Sequence, residues 1–315
     1  MVSGYFTQPV DHFDNQNPAS FQQLYFKNSQ WSKPGGPIFL MIGGEGPESS
    51  GWILNENITY LRWAKKFGAT VYLLEHRYYG SSIVGGTPTS PNPDLTFLSS
   101  LQMLYDVANF IRTVNLEYIK PPKWITFGGS YSGSLSLWMR EIFPELVHGA
   151  VGSSAPIEAK FDFYEYLEVV EASIRSYDQQ CASNIAKGFK EMHQLSMTKE
   201  GRKSLSDTFR LEPPWNESTN VTETDVQFFF SNIYSQFQGA VQYSGDNRGS
   251  YASGYGIPDM CTIINNKSND ALKNIASFNE FMTTFYQDGK PFEYTANSYE
   301  EFIDYLKKAQ LHGPG

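Results

Sequence analysis

Through the first half of the chain, short apolar runs alternate with segments whose apolar residues return every three or four positions. Residues 37–42, 70–74 and 124–127 and the small-residue run 149–152 are short and bounded by glycine, proline or polar residues. They read as buried strands. Residues 60–67 read as a helix stopped by Gly68. Leu98, Leu101, Leu104, Val107, Ala108, Ile111 and Val114 recur at the spacing of one helical face. A further helix, 132–143, closes at Pro144, and a proline-rich loop fills 86–93. Strands without a polar face, separated by helices, predict a parallel sheet covered on both sides, an α/β fold.

After about residue 160 the pattern changes and no strand-like run follows. Helices are expected over 161–187, 224–241, 271–286 and 298–310, the last opening on a Ser298–Glu301 capping pair. A polar, proline-containing connector covers 212–220. The predicted organisation is an α/β part over 1–160 and a helical cap or lid over 161–315.

Composition narrows the classes. Hydrophobic residues make up 40 % and charged residues 18 %, enough apolar material for a real core. Lys+Arg 24 against Asp+Glu 33 gives a net charge of −9, the wrong sign for a nucleic-acid or anionic-membrane partner. No apolar run approaches the ~20 residues of a membrane span, and residues 1–13 hold no apolar signal stretch. Aromatics at 16 % suit a dense core with an aromatic-lined pocket. Two cysteines, Cys181 and Cys261, are too few for a disulfide framework or a tetrahedral zinc site, and buried thiols are the plain reading. Sequons at Asn57, Asn216, Asn220 and Asn266 hint at the secretory pathway.

The sharpest chemical feature is Gly128-Gly129-Ser130-Tyr131-Ser132-Gly133, set between a predicted strand and a predicted helix. A nucleophile elbow needs this arrangement, with small residues two before and two after the serine so that the chain can fold back. Gly128 and Ser132 fill those positions, Ser132 where glycine is usual. The Tyr131 N–H then lies at a helix start, where it can donate to an oxyanion. A phosphate-cradling loop is the competing reading, but no lysine follows the glycines and the Gly-x-Gly-x-x-Gly spacing is absent. A second oxyanion donor is expected from Gly43-Gly44-Glu45-Gly46, the glycine loop after an earlier strand. Glu45 could meet a substrate amine there, or cap the next segment. No cofactor or metal is expected.

Phe6-Thr7-Gln8-Pro9-Val10-Asp11-His12-Phe13, the glycine loop, Glu75-His76-Arg77-Tyr78-Tyr79-Gly80, the elbow and Ser153-Ser154-Ala155-Pro156 follow one another in this order. Together they resemble the prolylcarboxypeptidase-like serine peptidases, with an elbow most similar to the thymus-specific branch. The resemblance spans residues 5 to about 160 and is looser beyond. It implies an α/β-hydrolase core with an inserted helical cap, peptide substrates, an extracytosolic (secreted or lysosomal) setting, and a Cys181–Cys261 disulfide in place of free thiols. It assigns Ser130 as nucleophile and Tyr131 with the backbone around Gly44 and Glu45 as the oxyanion hole. One departure is Ser134, where the prolylcarboxypeptidase branch commonly carries methionine at the edge of the pocket for the residue before the cleaved bond. That puts strict prolyl specificity in question.

Hydrolases of this fold present serine, acid and histidine in that chain order. After Ser130 come only His148, His193 and His312, none following a predicted strand, and upstream His12 and His76 are out of order. His76 is expected to be structural, beside Arg77. The triad acid and base are therefore expected outside this chain, with the C-terminal core strands, and residues 1–315 alone are expected to show little activity. An esterase, or an inactive hydrolase-fold binding protein, is the alternative to an exopeptidase.

Overall fold

A computed structural model describes residues 1–85, 94–245 and 254–307; the proline-rich loop at 86–93 and His312 lie outside the described residues. The chain divides into two compact units, Met1–Ala159 and Lys160–Lys307.

The first unit is built from β1 (Val2–Pro9), β2 (Ser20–Asn28), β3 (Ile38–Ile42), α1 (Gly51–Leu54), α2 (Thr59–Phe67), β4 (Thr70–Leu74), α3 (Ser100–Asn115), β5 (Trp124–Gly129), α4 (Tyr131–Ile142) and β6 (Val147–Ser153). Its six strands lie in the order β1-β2-β4-β3-β5-β6. β4, β3, β5 and β6 pair in parallel, as the buried apolar runs predict. Alternate residues of a strand face opposite sides. Ile38, Leu40, Ile42, Tyr72 and Leu74 accordingly pack on α3 and α4, while Phe39, Val71 and Leu73 pack on α2. Gly68 ends α2 in the left-handed region at φ 67°, as read from the sequence.

The sheet is mixed rather than wholly parallel, because β1 and β2 form an antiparallel hairpin that pairs with β4. The hairpin is hard to see in the sequence because its buried inward positions include polar residues, Gln8 and Gln23. Gln8 Nε2 donates to Gln23 Oε1 at 2.8 Å and to the Asp106 carbonyl on α3, and Gln23 Nε2 donates to the Glu75 carbonyl. Hydrogen bonding replaces apolar burial here, so the usual alternation is missing.

The second unit holds α5 (Glu165–Tyr177), α6 (Gln179–Ser196), α7 (Lys199–Phe209), β7 (Leu211–Glu212), α8 (Glu223–Gln242), α9 (Ile257–Ile264), α10 (Ala271–Tyr286), β8 (Thr295–Ala296) and α11 (Tyr299–Lys307). The helix expected over 161–187 is two helices. The Asp178 carboxylate accepts the N–H groups of Gln180 and Cys181 and starts α6 afresh. The two short parallel strands β7 and β8 are an addition to the helical reading. Cys181 and Cys261 are disulfide-bonded and buried in an aromatic-rich core that includes Phe209, Phe229 and Phe278.

At the centre of the first unit, Arg77 and Asp106 meet with no exposed side-chain surface. Arg77 Nε and Nη2 donate to the two Asp106 oxygens, both at 2.7 Å. Its other donors reach the carbonyls of Pro9, Val10 and Phe97, using all five guanidinium protons. His12 Nε2 donates to Asp106 at 2.7 Å. Removing one partner of a buried pair strands the other charge. Asp106→Asn is therefore expected to cost about 3–5 kcal/mol, read as a lower urea midpoint. Tryptophan fluorescence follows the first unit, which holds five of the six tryptophans.

Candidate active site

Ser130 sits between β5 and α4 at φ 56°, ψ −130°, a conformation side chains adopt only when their surroundings enforce it. What enforces it is the tight reversal of the chain. A Cβ on Gly128 would lie 2.1 Å from the Ser132 carbonyl oxygen, so that position admits glycine alone. Ser132 fits in place of the usual glycine because its hydroxyl turns inward. It donates to the Gly129 carbonyl at 2.9 Å and accepts the Gly129 N–H at 3.0 Å. Ser130 N–H donates to Ser153 O on β6, fixing the elbow to the next strand. The Ser130 side chain is left exposed.

The chain runs from β3 to β4 on one side and later to β5 on the other, so the strand order switches at β3. Ligands of open α/β sheets gather at such a switch, beyond the carboxyl ends of the strands. Here those ends carry the Gly43–Glu48 loop and Ser130. A Cβ on Gly44 would touch Ser132 Cβ at 3.7 Å, so the loop lies against the elbow. The Tyr131 N–H, in the first turn of α4, has no intrahelical acceptor. In the loop, Gly44 N–H donates to Glu48 Oε1 at 3.3 Å, whereas Glu45 N–H meets no acceptor among the described residues.

His76 is buried and does not face Ser130 as a base. Nδ1–H donates to the Arg77 carbonyl at 2.7 Å, which leaves Nε2 to accept from the Tyr131 hydroxyl at 3.1 Å. Ser100 Oγ then donates to the Tyr131 oxygen at 3.0 Å. Burial pushes the His76 pKa down, so the imidazole stays neutral and keeps its acceptor for Tyr131. The structural role expected for His76 takes this specific form. His148 and His193 are both exposed, at the start of β6 and on α6. Ser134, expected at a pocket edge, is instead fully buried with its hydroxyl on the Pro156 carbonyl, because it falls on the inner face of α4.

A cavity of about 650 Å³ opens at Ser130, lined by the glycine loop and by aromatic residues that include Trp52 of α1 and Tyr60 and Trp63 of α2. The sequence reading missed its most unusual member, Glu48, three residues beyond Glu45 in the same loop. Burial, with Glu75 adding like charge, raises the Glu48 pKa from 4.5 to about 7. Glu75 is buried below the loop and accepts from Glu48 N–H, Ser81 N–H and the Ser82 hydroxyl. Among the described residues no three His, Cys, Asp or Glu side chains gather as a metal site.

A serine held on a strained strand-to-helix turn at the switch point of an α/β sheet, with a glycine loop beside it, defines an α/β-hydrolase-type architecture. The sequence matches the profile of the serine carboxypeptidase S28 family over residues 8–313, and the chain belongs to that family. A Caenorhabditis elegans protein with a provisional serine-protease designation is 45 % identical over 263 residues, 83 % of this chain and 48 % of its own length. Human thymus-specific serine protease is 39 % identical over 77 % of this chain and 47 % of its own. Mouse lysosomal Pro-X carboxypeptidase is 34 % identical over 67 % and 44 %. The chain thus spans about half the length of these relatives. Among solved structures, the thioesterase domain from the curacin biosynthetic pathway aligns over 54 % of this chain and 52 % of its own, at 17 % identity and a TM-score of 0.36.

A carboxyl whose folded pKa is raised binds a proton that the unfolded chain has lost, so stability falls as pH climbs between 4.5 and about 7. Glu48→Gln removes that penalty. After allowance for partial exposure, the variant should melt about 2–4 °C above the parent at pH 8. At pH 4 the two should coincide. Thermal scans of both proteins at the two pH values check this.

Proposed function

We propose that this chain carries the nucleophile and oxyanion hole of a serine exopeptidase working through an acyl-enzyme. Ser130 Oγ attacks the peptide carbonyl, and the oxyanion is held by the N–H groups of Tyr131 and the Gly44–Glu45 loop, where Glu45 has the free amide. The triad acid and base are assigned to sequence outside residues 1–315, and the helical unit to the role of a cap. The observation that carries this reading is the strained φ of Ser130, held by the Gly128–Ser132 reversal beside a glycine loop. Strain of this kind persists where a fold over-determines it, and it clusters at reacting groups.

A secreted or lysosomal setting is supported by the disulfide, by exposed asparagines in all four sequons and by the lysosomal relative. Each sequon asparagine is a proposed glycosylation site. The name of the Pro-X carboxypeptidase makes a peptide ending in Pro-X the first substrate to try, with a short acyl ester as the esterase control.

The test uses the full-length protein that contains this chain. A fluorophosphonate probe should label it once, at Ser130, and Ser130→Ala should abolish labelling. The same variant should lower kcat for peptide cleavage on the order of a millionfold. An unlabelled protein with intact fold would support the inactive binding-protein reading, and turnover of esters without peptides the esterase.

A further inference from the structure

The cavity at Ser130 has an uneven charge. Its walls include two carboxylates, Glu45 and Glu48, and four large aromatic residues, Trp52, Tyr60, Trp63 and Phe127, yet among the described residues no lysine, arginine or histidine. Neither carboxylate forms an ion pair among the described residues. The polar contact of the Glu48 carboxylate is the single 3.3 Å bond from Gly44 N–H. A desolvated carboxylate normally has a countercharge or several donors. Asp106 and Glu75 in the same unit follow that rule, with three donors each. Glu48 departs from it, and it does so inside a cavity reached from solvent. Its neighbour across the loop, Glu75, adds negative charge.

We infer that this cavity takes a cationic group of the substrate, an ammonium or guanidinium, and that Glu48 is the residue that selects for it. The reading rests on Ser130 as the reacting serine. An ammonium or guanidinium would supply the missing countercharge to Glu48 and meet the electron-rich faces of Trp52, Tyr60 or Trp63, which attract cations. Above about pH 7, where Glu48 is ionised, a carboxylate in the same space would meet like charge from both Glu45 and Glu48. The substrate class is therefore a peptide that places a positive charge beside the cleaved bond. That charge has two possible sources, a lysine or arginine side chain or a free amino terminus.

The test compares matched fluorogenic peptides on the full-length protein: lysine against norleucine, arginine against citrulline, and a free against an acetylated amino terminus. In one of these arms the charged member should show a kcat/KM about 10- to 100-fold higher. The side-chain arms and the terminus arm identify the source. Glu48→Gln should bring that ratio close to one, and Glu45→Gln should lower it less. Because each ratio is taken within one variant, a general loss of activity leaves it readable. In parallel, Ser130→Ala protein is titrated calorimetrically with Nα-acetyl-arginine amide, Nα-acetyl-citrulline amide, and an alanine dipeptide amide with a free or acetylated terminus. Ratios near one in every arm, with neutral peptides cleaved, overturn the inference and leave the peptidase reading intact. Binding of a cationic probe that Glu48→Gln abolishes, without any peptide cleavage, upholds the cation site and overturns the peptidase reading. Equal binding of charged and neutral probes overturns the cation site.

Discussion

The first unit depends on one buried ion pair. Arg77 and Asp106 are both sequestered from water, and such a pair is tolerable only when every remaining donor and lone pair is answered. The need to answer them draws together the end of β1 through Pro9 and Val10, helix α3 through Asp106, and the loop before α3 through Phe97. Once Arg77 is fixed, its two predecessors are fixed as well. His76 reaches Tyr131 at the elbow, and Glu75 reaches Glu48 in the glycine loop. Three consecutive residues thus tie the ion pair to the elbow and to the glycine loop, and a displacement of Arg77 would reach both together.

The elbow adds a steric constraint to this electrostatic one. Ser130 can hold φ 56° because Gly128 lets the Ser132 carbonyl come within 2.1 Å of where a side chain would stand. Ser132 then uses its own hydroxyl to satisfy both polar groups of Gly129. A second glycine would give the chain more room but leave those groups to other partners. This is a physical reason why a serine two residues after Ser130 is compatible with the turn.

The four parallel strands, the helices covering them and the elbow were legible in the sequence, because burial on both faces and a strained turn each demand particular residue types. The N-terminal hairpin was not, since Gln8 and Gln23 bury amides where an apolar residue would have signalled a strand. The break at Asp178 was hidden inside an unbroken helical periodicity and became visible only through its capping bonds. Glu75-His76-Arg77 was recognisable as a motif but silent about purpose. The roles of His76 and Arg77 lie in contacts with Tyr131, Asp106 and Val10, which are 55, 29 and 67 positions away along the chain. Sequence spacing carries no trace of such contacts.

The carboxylates of the first unit separate into two kinds by the same accounting of donors. Asp106 and Glu75 are the more deeply buried, yet each is fully occupied in holding the fold. Glu48 is less buried and has one weak partner, so its environment penalises the charge without compensating it. A group that serves only the fold would be expected to gain partners or be replaced by a neutral side chain, because an unanswered charge contributes nothing to packing. That the shortfall falls on a wall of the Ser130 cavity, and not in the unit's interior, separates a residue that shapes the molecule from one that faces what enters it.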